Sequence, residues 1–267
     1  MKSDAETVRG AIDVPDKLDK NNEFYPRELY QCLNSAFEWQ EFIDIEQDDA
    51  FKQAFWEIVQ GHCSLYTCEN ETKHSDLSVK NLNFRVVEGA IRGVLNDWDL
   101  AKVGDSARAL PKRTRTGTLP FMSADLLEAW ALLLPGRSKA KPLPDHIERF
   151  DWESMFYVLF WIACHYDDGK DVNPMALNDW VYPDRAVLPA IKRDLLLLPD
   201  YGLITEYFLP LAQTWLDPLC ESFSKGYNAQ NRHNKELSFK CVNPSDFNNE
   251  TLGGHVTYEA VWKIFKT

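Results

Sequence analysis

Positive charge and long apolar runs are both scarce in this sequence. Lys and Arg number 29 against 41 Asp and Glu, so the net charge is −12. Such a balance repels the phosphate backbone of nucleic acids and excludes them as main partners. The longest apolar run covers residues 155–164, well short of the about 20 residues that cross a bilayer, and no apolar signal segment follows Met1. We therefore expect an intracellular protein, cytoplasmic or nuclear, without a membrane partner.

Cysteine and glycine are sparse as well. The six cysteines are scattered, and the one close pair, Cys63 and Cys68, has no second pair at a zinc-binding spacing. None of the twelve glycines forms a G-x-G-x-x-G pattern, and only Gly10 and Gly61 precede residue 74. The sequence thus contains no zinc-binding pattern and no Gly-rich loop of the kind that holds phosphates.

The chain divides into a polar arm and one larger domain. Residues 1–22 are charged and lack a periodic apolar pattern, which is typical of a flexible arm, and residues 23–267 are assigned to the domain. Within the domain, apolar residues recur at steps of three and four over residues 50–66 and predict a helix. His62 lies on the apolar face of that helix and is expected to be a core residue.

A small β element interrupts an otherwise helical pattern. Residues 82–87 and 93–96 are β-prone and are separated by a turn at Glu88-Gly89, which predicts a hairpin. Residues 152–166 are almost continuously apolar and predict a helix buried on every side, with Asp151 as its N-cap. We therefore predict a mainly α fold with one small β-hairpin. Further helices are predicted over residues 184–198, 203–223 and 258–266.

Residues 74–81 read His-Ser-Asp-Leu-Ser-Val-Lys-Asn. Phosphoryl transfer needs a carboxylate beside the accepting hydroxyl and a metal ligand a few residues on, and this segment contains both. It resembles the kinase catalytic loop H-R-D-L-x-x-x-N, with Ser75 in place of Arg. The resemblance implies that Asp76 orients the substrate hydroxyl, that Asn81 binds a metal ion, and that Lys80 contacts the transferring phosphate.

A second acidic segment, Asp97-Trp98-Asp99, ends the predicted hairpin and resembles the kinase D-F-G segment. By that resemblance Asp97 is the principal magnesium ligand, and Asp99 is a second carboxylate that can assist the metal. Trp98 would fill the apolar slot of the usual Phe. Asp99 in place of Gly removes the backbone freedom that lets such segments flip.

Residues 117–125 read Gly-Thr-Leu-Pro-Phe-Met-Ser-Ala-Asp and resemble the G-T-x-x-Y-M-A-P-E end of a kinase activation segment. The resemblance assigns Thr114, Thr116, Gly117 and Thr118 to a substrate-docking and activation segment. Residues 102–115 just before it are rich in Lys and Arg. They are either a solvated loop or a dock for an acidic or phosphorylated peptide.

Two further residues are expected to support the site without reacting. His74 is expected to pack beneath Asp76. Asp151 matches the buried Asp that, in kinases, begins the central helix and braces the catalytic loop from below.

Together these segments resemble the fungal-type protein kinase domain family. The resemblance covers roughly residues 50–166 and is most specific at residues 115–123 and 151–162. It implies the large C-terminal lobe of a protein-kinase-like fold, ATP and Mg²⁺ as cofactors, and a Ser or Thr hydroxyl of a protein as the phosphate acceptor.

The N-terminal ATP-binding lobe is expected to be missing or severely truncated. Ahead of Asp76 there is no Gly-rich loop, no Lys in an apolar strand context and no helix Glu to pair with it. The chain is then either the C-terminal part of a longer kinase or a protein that kept the large lobe for another use. Magnesium and Lys80 alone would hold the β- and γ-phosphates, so we expect weak or no activity from this chain by itself.

Three functions remain open at this stage. The first is a protein kinase catalytic lobe, whose partners are a protein substrate and, where required, a separate N-terminal lobe. The second is a small-molecule phosphotransferase of the aminoglycoside or choline kinase kind, whose acidic motif also resembles Asp97-Trp98-Asp99. The third is a non-catalytic pseudokinase or scaffold that binds a protein partner. Residues 117–125 favour the protein substrate over the small molecule.

Overall fold

The computed structural model describes residues 40–45, 48–67, 71–102, 117–132, 144–184 and 186–267. The flexible arm predicted for residues 1–22 lies outside these ranges, as do Thr114 and Thr116. Among the described helices, none combines the length and the apolar character that a membrane span requires.

The described part of the chain is mostly helical, as the sequence predicted, and it contains two small antiparallel sheets where the sequence predicted one hairpin. A π-helical stretch, Ala212–Leu216, joins two helices into one long element near the C-terminus. The strands and α-helices are β1 (Gln40–Glu41), α1 (Asp48–Thr67), β2 (Leu82–Val87), β3 (Ala90–Leu95), α2 (Ala124–Ala131), α3 (Glu148–His165), β4 (Tyr166–Asp167), β5 (Lys170–Asp171), α4 (Asn178–Val181), α5 (Leu188–Leu197), α6 (Leu209–Leu211), α7 (Asp217–Ser238) and α8 (Tyr258–Phe265).

The predicted hairpin is present as β2 and β3, in the register Leu82 opposite Leu95 and Val87 opposite Ala90. Its two turn residues, Glu88 and Gly89, have φ values of 52° and 80°. Positive φ at both positions is the turn geometry that matches the twist of paired strands, so pairing continues directly from the turn. This is why β3 begins earlier than predicted. The short strand β1 adds to the free edge of β2 and was not predicted.

Helix α1 lies directly on β3, and a glycine makes this approach possible. A Cβ atom built on Gly93 would sit 1.9 Å from the backbone oxygen of Ala54. At the same place Glu57 accepts hydrogen bonds from the Gly93 amide at 3.0 Å and from Arg92 at 2.6 Å. Steric fit and hydrogen bonding therefore fix the helix to the hairpin, whose far end carries the acidic segments.

Helix α3 forms the centre of the hydrophobic core. All its residues except Trp161 are buried, as predicted for a helix apolar on every side. Phe156 packs against Phe223 of α7 with ring centroids 6.2 Å apart, and Tyr157 packs against Trp180 of α4 at 5.4 Å. The helix is therefore the rigid element from which neighbouring segments are held.

The predicted N-cap role of Asp151 is wrong. Helix α3 begins earlier, at Glu148, and its N-cap is Ile147, which makes no side-chain capping bond. Asp151 lies inside the first turn, and its carboxylate accepts hydrogen bonds from a distant segment of the chain. The Asp151 carboxylate therefore binds amides of another segment and does not cap the N–H groups of its own helix.

The remaining predicted helices are present with different limits. Pro189 and Pro210 both fall at the first turns of their helices, where a missing N–H costs nothing, so each begins a helix instead of breaking one. The helix predicted to end at residue 223 continues to Ser238. Its last turns are polar and exposed, which is why an apolar period could not reveal them.

Replacing Gly93 with Ala should destabilise the protein strongly. The added methyl group cannot fit beside the Ala54 carbonyl without moving α1 or β3, so we expect a loss of about 3 kcal/mol in the free energy of unfolding. Gly61→Ala is the matched control, because Gly61 lies in α1 with nothing near its missing Cβ and should gain about 0.5–1 kcal/mol. Urea denaturation of the two variants measures both values. Equal stabilities would contradict the close helix–strand contact.

Candidate functional site

Two loops meet at the open end of the β2–β3 hairpin. The segment that carries Asp76 enters β2 through a 3₁₀ turn, Val79–Asn81, and the segment that carries Asp97 leaves β3. The Asn96 amide donates to the Asn81 carbonyl at 2.8 Å, and His74 Nε2 lies 2.8 Å from the Asn96 carbonyl. These bonds hold the first acidic segment, residues 74–81, and the second, residues 97–99, at the same end of the sheet.

The first segment is fixed from below by the buried carboxylate of Asp151. Its Oδ2 accepts the His74 amide at 2.7 Å and its Oδ1 accepts the Ser75 amide at 3.0 Å. Two imidazoles complete the set, with His62 Nε2 at 2.9 Å from Oδ2 and His146 Nε2 at 2.8 Å from Oδ1. Burial alone would raise the pKa of Asp151, but the charge and hydrogen bonds of His146 and His62 outweigh it and hold the pKa well below its usual range.

Sequence reasoning missed the roles of the two histidines. His62 was expected to be a core residue, and it is fully buried, yet it also binds the Asp151 carboxylate. His146 was not singled out at all. The one available sign was a histidine five residues before the acid at the start of the buried helix, which is too weak to identify a partner without the fold.

Asp76 faces the described part of the predicted docking segment, residues 117–125. Its Oδ1 accepts the Thr118 amide at 2.7 Å and the Thr118 hydroxyl at 2.9 Å, while its carbonyl accepts the Asn81 side-chain amide at 2.7 Å. Within the described residues, Oδ2 of Asp76 accepts no hydrogen bond. One carboxylate oxygen thus binds the docking segment, and the other can accept an incoming hydroxyl.

Gly117 permits this contact through its backbone. Its φ is 113°, and a Cβ would lie 3.0 Å from Met122 Cγ and 3.5 Å from the Ser75 carbonyl. A side chain at this position would be strained and crowded at once. The glycine lets the chain turn close enough to the first acidic segment for Thr118 to reach Asp76.

Asp97 occupies the left-handed region, with φ 61° and ψ 62°, at the start of a 3₁₀ turn, Trp98–Leu100. Such backbone strain is retained where surrounding contacts enforce it, and it is frequent at functional sites. Here Trp98 supplies those contacts, because its ring packs on His74 with centroids 4.5 Å apart and its Nε1 donates to the Leu95 carbonyl at 2.9 Å. Burial raises the pKa of Asp97, and the neighbouring charges of Asp99 and Asp76 raise it further.

The electrostatics of this group suit a divalent cation. Three carboxylates repel one another around Asp97, so a cation placed there would relieve the repulsion. The side-chain nitrogen of Asn81 donates to the Asp76 carbonyl. The side-chain oxygen of Asn81 remains available as a ligand for a cation. No three His, Cys, Asp or Glu side chains of the described ranges form a metal cluster. Magnesium that binds together with a nucleotide phosphate usually takes only one or two carboxylate ligands from the protein.

The other predicted site residues are less enclosed or cannot be described. Lys80 and Asp99 are exposed, Lys80 beside the first acidic segment and Asp99 within the turn after Asp97. Ser75 is buried with φ 70°, and its hydroxyl has no hydrogen-bond partner among the described residues. Thr114 and Thr116, like most of the basic residues 102–115, lie outside the described residues.

Asp151→Asn should reduce stability at neutral pH and flatten the acid limb of the stability profile. Because the folded pKa is depressed, the contribution of Asp151 is fully present above its unfolded pKa of about 4 and is lost as pH falls through the folded pKa. We expect about 3–5 kcal/mol less unfolding free energy at pH 7 in the variant. Chemical denaturation between pH 2 and pH 7 measures the profile.

The exposed Asp171 provides the control for this substitution. Asp171→Asn should leave both the neutral stability and the acid limb close to those of the parent. A parent and an Asp151→Asn variant with parallel profiles would show that the buried carboxylate is not linked to folding.

Comparison with known proteins shows that these segments are similar to one protein family. Residues 40–163 match the family model described as fungal protein kinase. The match spans both acidic segments, the docking segment and most of α3. Searches of the curated proteins and of the solved structures returned no match. Residues 40–163 of this chain are therefore similar to the fungal protein kinase family.

Proposed function

We propose that this chain carries the catalytic part of a protein kinase, which transfers a phosphoryl group from Mg-ATP to a Ser or Thr hydroxyl of a protein. The observation that carries the proposal is the double hydrogen bond between Thr118 and Oδ1 of Asp76. It joins the segment expected to dock a peptide to the carboxylate expected to receive the peptide's hydroxyl. The similarity of residues 40–163 to the fungal protein kinase family supports the same reaction class.

In the proposed reaction Asp76 acts through its second oxygen. The substrate hydroxyl would donate to Oδ2, which orients the hydroxyl oxygen toward the phosphate and accepts its proton as the new bond forms. The hydrogen bonds from Thr118 to Oδ1 keep the carboxylate from rotating away. Positioning of this kind supplies much of the rate enhancement in phosphoryl transfer.

Asp97 and Asn81 are the residues that would hold Mg²⁺, with Asp99 as a nearby additional carboxylate. When bound, the ion would supply positive charge that neutralises the charge developing on the transferring phosphate. Lys80, exposed beside the first acidic segment, would contact the transferring phosphate. The buried Asp151 holds the His74 and Ser75 amides and so fixes the backbone that carries Asp76.

The Thr118–Asp76 contact favours a protein substrate over a small molecule. A small-molecule phosphotransferase has no use for a peptide-docking segment bonded to its catalytic carboxylate. A scaffold that binds a protein partner without turnover is the second candidate. Ser75 and Asp99, which replace the Arg and the Gly of the two kinase motifs, favour it. Nucleotide binding separates these candidates.

Titration of the chain with ATP in the presence and absence of Mg²⁺ should show weak, magnesium-dependent binding. Asp97→Asn should weaken the Mg-ATP affinity by about tenfold or more, equal to about 1.4 kcal/mol, because it removes the main cation ligand. Asp171→Asn is the matched exposed control and should bind like the parent. Isothermal calorimetry gives the affinities. Absence of binding by the parent would reject the enzyme and leave the scaffold.

Phosphorylation of a Ser-containing peptide tests the catalytic assignment separately. Asp76→Asn should lower kcat by about 100-fold or more through loss of the proton acceptor, while the affinity for Mg-ATP stays near the parent value. Mass spectrometry of the peptide measures turnover. Equal and measurable turnover by parent and variant would remove Asp76 from the mechanism.

A further inference from the structure

Lys192 of α5 is completely buried, although no carboxylate of the described residues forms an ion pair with it. Its Nζ donates instead to two backbone carbonyls, Pro120 at 2.5 Å and Met122 at 3.0 Å. The same nitrogen lies 3.6 Å from the centroid of the Tyr157 ring and 4.6 Å from that of Trp180. The amine therefore sits between two aromatic rings and one turn of the docking segment.

These contacts account for every donor that an ammonium group has. A protonated lysine offers three N–H groups, and two carbonyls and one aromatic face receive them. A neutral amine has two N–H groups and would turn its lone pair toward the electron-rich ring. Burial lowers the pKa of Lys192 well below its ordinary value, while the charge of Glu153 acts in the opposite direction.

Burying the amine of Lys192 in the core is unfavourable in free energy. Desolvation costs several kcal/mol, and an apolar side chain of similar volume often stabilises a protein equally well. An apolar side chain could not bind carbonyl groups, however. What Lys192 provides beyond volume is the orientation of the peptide groups on either side of Phe121.

That orientation bears directly on Thr118. The turn Leu119–Phe121 follows Thr118 without a break, and the Phe121 and Met122 amides both donate to the Thr118 carbonyl, at 2.8 Å and 3.1 Å. Further along, Glu153 of α3 accepts the Ala124 amide at 2.7 Å and the Tyr157 hydroxyl at 2.8 Å. Lys192 and Glu153, bridged by Tyr157, thus hold the docking segment at two successive points.

We propose that Lys192 is a positioning residue, which fixes the turn at residues 119–122 and through it the hydrogen bonds from Thr118 to Asp76. Its role in peptide phosphorylation rests on the proposed protein kinase function. Its effect on Thr118 does not, and can be measured without any turnover. We expect Lys192 to affect peptide docking and not nucleotide binding, because it contacts the docking segment, whereas Asp97 and Asn81 are the proposed cation ligands.

Lys192→Met tests the proposal with a side chain of similar length and no donors. We expect this variant to fold, with the Thr118 amide exchanging its hydrogen about tenfold faster in NMR experiments, since the bond to Asp76 is weakened. Peptide KM should rise several-fold while Mg-ATP affinity is unchanged. Lys225→Met, at an exposed lysine of α7, is the control and should change none of these quantities.

Lys192→Gln is the rescue variant, because an amide also offers two N–H donors to the carbonyls. It should recover part of the Thr118 protection that the Met variant loses. Native exchange at Thr118 in the folded Met variant would overturn the proposal. So would unfolding of both variants, since Lys192 would then serve general stability. Absence of turnover in the parent would count against the kinase function alone, because the exchange measurement still decides the role of Lys192.

Discussion

The geometry of the whole site depends on one buried carboxylate, Asp151. It accepts two backbone amides of the segment that carries Asp76 and two imidazole nitrogens, from His62 and His146. A buried charge without partners would cost far more than the fold could tolerate, so the four donors and the acceptor require one another. Because Asp151 lies on the rigid central helix, the strained backbone at Ser75 is held in one place relative to the core.

A second set of buried polar contacts extends from the same helix to the docking segment. Glu153 binds the Ala124 amide, Tyr157 binds Glu153, and Lys192 completes the set at the Pro120 and Met122 carbonyls. Helix α3 therefore supports both the segment that carries Asp76 and the segment expected to receive a peptide. The two meet at the hydrogen bonds between Thr118 and Asp76. Satisfied buried networks of this kind specify a single arrangement of the loops that they hold.

Local sequence patterns predicted the local features of this structure. The α1 helix, the β2–β3 hairpin and the buried α3 helix all follow from periodicity or turn residues, and the acidic segments follow from motifs. Features that depend on contacts between distant residues were not predictable. His62 and His146 bind Asp151 only because the fold brings them together, so no sequence pattern identifies them as its partners. Lys192 gave no sign either, since no pattern marks a lysine whose acceptors are backbone carbonyls.

The proposed function requires that Asp97 and Asn81 hold a cation close to Asp76. Mn²⁺ added with ATP in place of Mg²⁺ tests it most directly, because the paramagnetic ion broadens the NMR signals of nearby residues. We expect the amide signals of Asp97, Asn81 and Asp76 to broaden first, and that of the exposed Asp171 of β5 to broaden only later. Broadening elsewhere, or none at these three residues with ATP present, would contradict the claim.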